Sequence, residues 1–257
     1  MPDTPTSPIA NDPHFTVIDE TEDLIVVDKP APLLVHPSVP GNPPTLLDGL
    51  QGLLAYDIAN GATLSIINRL DRETSGVVLV TKHAEAARRF SIAMQERRVE
   101  KEYSTLVHGW PDEDRFVTDG PILRKGEVAD SPIWVKQIVH PDGNPSRTEF
   151  VVEERFESSA GAKFARLRAL PVTGRMHQIR VHLAHAGFPV VGDKIYGADE
   201  TCYLDFIETG WTEDLQRRLL MRRQALHSCR LRFELAGGEI HQWEAPPPED
   251  WQGFGRP

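Results

Sequence analysis

Three clusters of side chains in this sequence could do chemistry. The densest is Asn68-Arg69-Leu70-Asp71-Arg72-Glu73-Thr74-Ser75-Gly76. It is a polar loop between two β-branched runs, residues 65–68 and 76–80. Arg69 and Arg72 flank Asp71, which favours the ionised carboxylate. Thr74 and Ser75 supply hydroxyls to hold the loop, and Gly76 permits a tight re-entry into the following strand. A deprotonated carboxylate on a rigid strand-loop-strand frame suits a nucleophile or a general base. A surface turn stapled by local ion pairs fits the same residues.

The second cluster runs from Thr173-Gly174-Arg175 through His177 and Arg180 to His182 and His185. A Thr-Gly turn opening a helix presents free N–H groups and the positive end of the dipole, an anion site. Arg175 and Arg180 suit a phosphate or a carboxylate. The three histidines invite a zinc reading and a metal hydrolase. Their spacing is not the HExxH pattern, however, and no acidic residue lies inside the segment, so no metal is assigned. A basic amphipathic helix packed at an edge is the plainer alternative. The third cluster is Lys101-Glu102-Tyr103. Tyr103 could stack on a planar ring or relay a proton, although a lone tyrosine on a strand usually fills a core.

The elements that must position these clusters follow from periodicity. Residues 15–18 and 24–29 read as strands around an acidic turn, and the prolines of residues 30–45 mark an extended loop. Residues 46–55 read as a short helix. Residues 83–97 form a longer one with Ala86, Ala87, Phe90, Ala93 and Met94 on one face. Residues 99–107 alternate as a strand with Lys101, Tyr103 and Thr105 on one side. The stretch 110–147 reads as irregular, and FVVEERF and KFARLRAL as paired strands. Arg175 to Ala186 reads as a helix stopped by Gly187, and a charged helix is expected near residues 213–223. The last pair is HSCRLRFEL and IHQWEA, with Cys229, Leu231, Phe233 and Leu235 on one face. Strands outnumber helices without regular alternation, which predicts an α+β fold with a mixed, mainly antiparallel sheet. The division expected is a loose tail over residues 1–13 and one domain over residues 14–257.

Composition removes several function classes. With 40% hydrophobic and 26% charged residues, the chain is neither disordered nor fibrous. No apolar run approaches the roughly 18–20 residues of a membrane helix. The first residues carry no basic and apolar leader, and Cys202 and Cys229 are too few for a disulfide framework, so a reducing cytoplasm is expected. The net charge of −10 argues against a polyanionic partner. Its distribution is uneven. Residues 1–28 hold seven acidic and no basic side chains, whereas residues 161–194 hold six Lys or Arg against Asp193.

These clusters together resemble the RluA-type pseudouridine synthases. NRLDRETSGVVLVTK is similar to the family's HRLDxxTSG segment, with Asn68 in place of His. LIVVDKPAPLLVHP, KEYSTLVHG, PVTGRMHQIRVHLAHAGFPVVGDKIYG and ALHSCRLRFEL resemble its other motifs, in order, over about residues 15–250. Pro32 replaces a usual Gly, and Met176 a usual Thr. The chain resembles the short branch, a single catalytic domain without the separate N-terminal RNA-binding domain of longer relatives. The resemblance implies a pseudouridine synthase-like fold and isomerisation of uridine in structured RNA, rRNA or tRNA, by a monomer without a cofactor. It implies Asp71 as the essential carboxylate, Arg180 as its partner in the cleft, and Tyr103 stacked on the uracil. Arg69 would fill the stack when the base is flipped out. Arg72, Arg166, Arg168, Arg175 and His177 are the remaining candidates for RNA contact. A relative that binds RNA without turnover is the competing expectation.

Overall fold

The computed structural model describes residues 14–37 and 43–254; the tail expected over residues 1–13 lies outside the described residues. The strands are β1 (Thr16–Glu20), β2 (Leu24–Lys29), β3 (Ser65–Ile66), β4 (Ser75–Thr81), β5 (Val99–His108), β6 (Arg115–Asp119), β7 (Ile122–Arg124), β8 (Gln137–Val139), β9 (Arg147–Glu157), β10 (Lys163–Pro171), β11 (Leu226–Glu234) and β12 (Ile240–Glu244). The helices are α1 (Leu46–Leu53), α2 (Ala55–Ala59), α3 (Ala84–Gln95), α4 (Gln178–His185), α5 (Thr201–Thr209) and α6 (Glu213–Leu219).

Ten strands form one sheet in the order β1-β2-β4-β11-β5-β10-β9-β6, with β3 on β4 and β12 on β11. Its neighbours are antiparallel except β4 and β11, which run parallel over two pairs, Ser75 with His227 and Gly76 with Ser228. The fold is therefore α+β with a mixed, mainly antiparallel sheet, as the pattern of runs predicts. β4 is buried along its whole length, which explains why residues 77–80 are an unbroken apolar run rather than alternating.

Each helix is shaped by local chemistry. Thr45 and Asp48 form a reciprocal capping box that starts α1, with the Thr45 N–H 2.7 Å from the Asp48 carboxylate. Leu46 and Leu50 then pack on Ile25, Val27, Val78 and Val80. In α3 the residues at helical spacing, Ala86, Phe90 and Ala93, are buried, with Phe90 and Ala93 packed against Leu79, Phe233 and Trp243. Phe90 meets Phe233 edge-on at 5.1 Å, and truncating it to Ala would cost about 3–5 kcal/mol. α4 lays Ile179 and Leu183 on Leu167 and Ala169 of β10.

The structure corrects three expectations and adds one helix, α5. Residues 110–147 are not irregular but hold β6, β7 and β8, each too short to show a period. The polar stretch after residue 198 contains α5, whose Cys202 packs on Leu215 and Leu219 of α6. α6 stops at Leu219 because Leu220 turns left-handed. α4 starts at Gln178 rather than Arg175, because His177 is also left-handed, at φ 56°. The Gln178 side chain accepts from Thr173 Oγ1 and the Arg175 N–H instead, closing a turn before the helix.

Candidate active site

The loop from Asn68 to Gly76 is held almost residue by residue. Asn68 turns its amide to β4, donating to Val77 O at 2.9 Å and accepting from the Leu79 N–H at 2.8 Å. The carbonyl of Arg72 accepts from the Leu33 N–H and from Lys29 Nζ. Lys194 donates to both Glu73 oxygens at 2.7 and 2.8 Å. Gln224 donates to Thr74 Oγ1 at 2.6 Å, and Ser75 Oγ lies 2.9 Å from His227 Nδ1. Gly76 has φ 114°, and a Cβ there would stand 2.2 Å from the Ser228 carbonyl. Only glycine lets β4 and β11 approach so closely.

These bonds present the Asp71 carboxylate to α4. Arg180 Nη1 donates to Asp71 Oδ2 at 2.8 Å. Its Nε and Nη2 donate to the two oxygens of Asp193 at 2.6 and 2.9 Å. Asp193 is fully buried and also accepts the N–H groups of Ile195 and Tyr196. One guanidinium thus bridges two carboxylates, one fixed in the core and one at the site. Gln224 Nε2 reaches Asp71 Oδ2 at 3.4 Å, and His177 Nε2 stands 4.0 Å from the same oxygen. Among the described residues, no hydrogen bond reaches Asp71 Oδ1.

The electrostatics follow from this arrangement. Burial alone pushes the Asp71 carboxyl up, but His177, Arg180 and the bonds from Arg180 and Gln224 outweigh it and hold it below the ordinary value. Asp193 is likewise held down by Arg180 against its burial. Burial pushes the His177 imidazole down to about 4, with the Arg180 charge adding to the effect, so it is neutral near pH 7. Burial lowers the Lys29 ammonium to about 7, while Asp71 pulls it back up. Burial also pushes the Tyr103 phenol up to about 12. Tyr103 lies where two cores meet, against the cluster of Leu70 and Val78 and the cluster of Leu167 and Ile179.

Of the residues singled out in the sequence, Asp71, Tyr103, His177 and Arg180 come together. The flanking arginines do not stabilise Asp71 as expected. Arg69 is exposed and meets His36 Nε2 at 3.1 Å, and the exposed Arg72 side chain has no polar partner among the described residues. Arg175 is exposed, 3.5 Å from the Pro145 carbonyl. Arg166 and Arg168 do not reach the cleft. Their register opposite Leu106 and Ser104 places them on the face of β5 and β10 away from Tyr103, which pairs with Ala169. There they meet Glu153, Glu154 and Glu102. The basic stretch 161–194 is thus divided among the core, the cleft and a charged ladder. His182 uses both ring nitrogens, on Thr148 Oγ1 at 2.8 Å and the Gly120 carbonyl at 2.9 Å. Among the described residues, no group of three or more His, Cys, Asp or Glu side chains is arranged to hold a metal ion.

Sequence reasoning assigned no role to Lys29, Lys101, Asp193, Tyr196 or Gln224. Asp193 and Tyr196 lie in the GDKIYG segment, whose motif character was a usable signal. Gln224 carried none. Lys101 is half-buried, two residues along β5 from Tyr103. Burial lowers its ammonium, which has no polar partner among the described residues. Its Nζ would stand 3.2 Å from a Cβ on Gly174.

A carboxylate held by a buried guanidinium, beside a tyrosine in a cleft, now meets its relatives. A sequence model described as RNA pseudouridylate synthase matches residues 23–185, and the chain belongs to that family. It is an RNA pseudouridine synthase, an isomerase that converts uridine to pseudouridine. Ribosomal large subunit pseudouridine synthase D of Haemophilus ducreyi is 34% identical over 249 residues, covering 92% of this chain and 68% of that protein. The protein of the same name from Escherichia coli O157:H7 is 36% identical over 244 residues, covering 91% and 67%. Among solved structures, human RNA pseudouridylate synthase domain containing 1 superposes with a TM-score of 0.70 at 25% identity, covering 95% of this chain and 87% of that one. No helix among the described residues is long and apolar enough to cross a membrane.

Proposed function

We propose that Asp71 is the reacting carboxylate, that Tyr103 stacks on the target uracil, and that the substrate is ribosomal RNA of the large subunit. The observation that carries the first role is the one-sided bonding of Asp71. Arg180 and Gln224 hold Oδ2, and Oδ1 is left for the sugar. During the reaction the N1–C1′ bond breaks, the uracil rotates while bound, and C5 joins C1′. The C5 proton leaves and N1 gains one, so the product is an isomer. Oδ1 serves equally to attack C1′ or to draw the C2′ proton, since both need an ionised, oriented carboxylate. The buried guanidinium keeps it so at neutral pH. In this reading Tyr103 relays the final proton.

A stacked or paired uridine must be extruded first, at a cost of a few kcal/mol. Arg69, exposed at the start of the loop, is the side chain proposed to take its place. Arg72, Arg175 and Lys101, which have no acidic partner among the described residues, supply charge for the RNA backbone. The names of the bacterial relatives support the choice of large-subunit rRNA. A monomeric protein acting in the cytoplasm, with residues 14–257 as one catalytic domain and no cofactor, completes the reading. The test is to delete the gene and map pseudouridines across total RNA. Sites in large-subunit rRNA should vanish, return with the wild-type chain, and stay absent with Asp71→Asn. Loss confined to tRNA would overturn the substrate, and restoration by Asp71→Asn would overturn the role of Asp71.

A further inference from the structure

His177 occupies a backbone conformation that its residue type disfavours, with φ 56° and ψ 16°. Strain of this kind persists where the surroundings impose it, and it concentrates at functional positions. The surroundings in this case grip the imidazole at both ends. Nδ1 lies 2.9 Å from the Tyr196 hydroxyl, and Nε2 stands 4.0 Å from Asp71 Oδ2. The Tyr196 oxygen already accepts the Gln137 N–H at 2.8 Å. Its own proton then has one acceptor among its hydrogen-bond partners, His177 Nδ1. A neutral imidazole that accepts at Nδ1 carries its proton on Nε2.

We propose that His177 is a positioning residue: the Tyr196 hydroxyl fixes its imidazole as the Nε2–H tautomer, and that N–H closes on Asp71 Oδ2 when the target nucleotide fills the cleft. This rests on the reading of Asp71 as the reacting carboxylate. A separation of 4.0 Å is too long for a hydrogen bond, but catalytic contacts are often loose before substrate binds. Closing by about 1 Å would bring Nε2 within hydrogen-bond range of Oδ2, giving it a third donor beside Arg180 and Gln224. Arg180, Lys29, Tyr103 and Tyr196 are the other ionisable groups that sense or face Asp71. A neutral donor suits this place better than a second cation. It orients the carboxylate without repelling Arg180, and it draws less electron density from Oδ1.

The tautomer can be read directly from the ring-nitrogen shifts of ¹⁵N-histidine-labelled full chain. Wild type should carry the His177 proton on Nε2, and Tyr196→Phe should move it at least partly to Nδ1. A wild-type proton on Nδ1, or a tautomer indifferent to Tyr196→Phe, would overturn the proposal. Two variants read the consequence. His177→Gly accepts the left-handed backbone without strain and has no donor, while His177→Asn tolerates the same backbone and keeps an amide N–H. The Gly variant should lose about ten- to a hundredfold in kcat with KM little changed, the worth of one bond to a charged group. Its acidic limb should move to higher pH, because Asp71 has lost a donor. The Asn variant should recover much of the rate. A merely structural histidine predicts a Gly variant as active as wild type and with an unmoved limb. Turnover by Asp71→Asn in the same assay would sink the reading of Asp71, whereas the tautomer is decided independently of it.

Discussion

The two walls of the cleft are built on opposite plans. On the Asp71 wall, bonds to Arg72, Glu73, Thr74 and Ser75 come from residues 43, 121, 150 and 152 positions away. The facing wall, residues 172–177, keeps Val172 and Met176 about half exposed and ends in the strained His177. A segment that reads as a local turn is thus held by residues far away in the chain. The segment that reads as a helix start is the open one. On the proposed reading, the reacting carboxylate is immobile and the RNA is accommodated across from it.

The largest expected effect attacks the joint between the walls. Arg180→Met leaves both Asp71 and Asp193 without their guanidinium. Breaking a buried pair costs on the order of 3–5 kcal/mol, read as a change in unfolding free energy. The sign of the pH effect follows from the Asp71 carboxyl, which lies below its unfolded value. Its stabilisation is present above the unfolded pKa and is lost as pH falls through the folded one. Arg180→Met removes much of that depression, so the acid-side losses of stability and of activity should both begin at higher pH. Asp71→Asn in the Arg180→Met background should restore part of the stability. Strict additivity in that double-mutant cycle would show that the walls are not joined there.

A change on the rigid wall alone comes next. Gly76→Ala drives a methyl into the Ser228 carbonyl, and overpacking of this kind costs about 1–3 kcal/mol before the left-handed strain is added. Gly61, at φ 100° with nothing within 4 Å of a built Cβ, isolates the strain alone. Gly61→Ala should cost only about 1–2 kcal/mol. Equal melting temperatures for the two variants would mean that β4 and β11 tolerate separation.

Between the walls, Tyr103→Phe should keep RNA affinity and lose most turnover, whereas Tyr103→Ala should also weaken capture, since stacking is worth about 1–3 kcal/mol per base. Full activity in the Phe variant would reduce the residue to a platform. The smallest effect separates the open wall from the outer ladder. Arg175→Gln should lower the salt slope of RNA binding by about 0.7, one phosphate contact on a single strand. Arg166→Gln and Arg168→Gln should leave it unchanged, because both side chains face away and lie among glutamates. A drop on the ladder side would place the RNA on the back of the sheet.

What was legible in the sequence was whatever a single element decides. Alternation located β5 and β11, and helical spacing located α3 to within two residues at its C-terminal end. The Asp71–Arg180 pairing came through resemblance, since nothing local relates residues 109 positions apart. The facing of Arg166 and Arg168 was latent in the alternation of β10. It becomes readable only when Ala169 is known to lie beside Tyr103. Gln224 and Lys29 were illegible as site residues because their role is defined by contacts across the fold. The start of α4 was missed because a Thr-Gly pair ordinarily opens a helix, and here the Gln178 side chain closes a turn first.

The two-pair parallel junction of β4 with β11 also sets an order in time. Ser75 meets His227 across 152 residues, and Gln224 reaches back 150 to Thr74. Closing so long a loop carries entropy that shorter contacts do not, and long-range pairings slow folding. During synthesis the strands β1 to β4 emerge first, while the Asp71 loop waits for β11, with His227 lying 152 positions after Ser75. A nascent polypeptide still lacking β11 therefore has the Asp71 loop held by Asn68, Leu33 and Lys29 but not yet by His227. The loop is complete only once β11 has been made and has paired with β4.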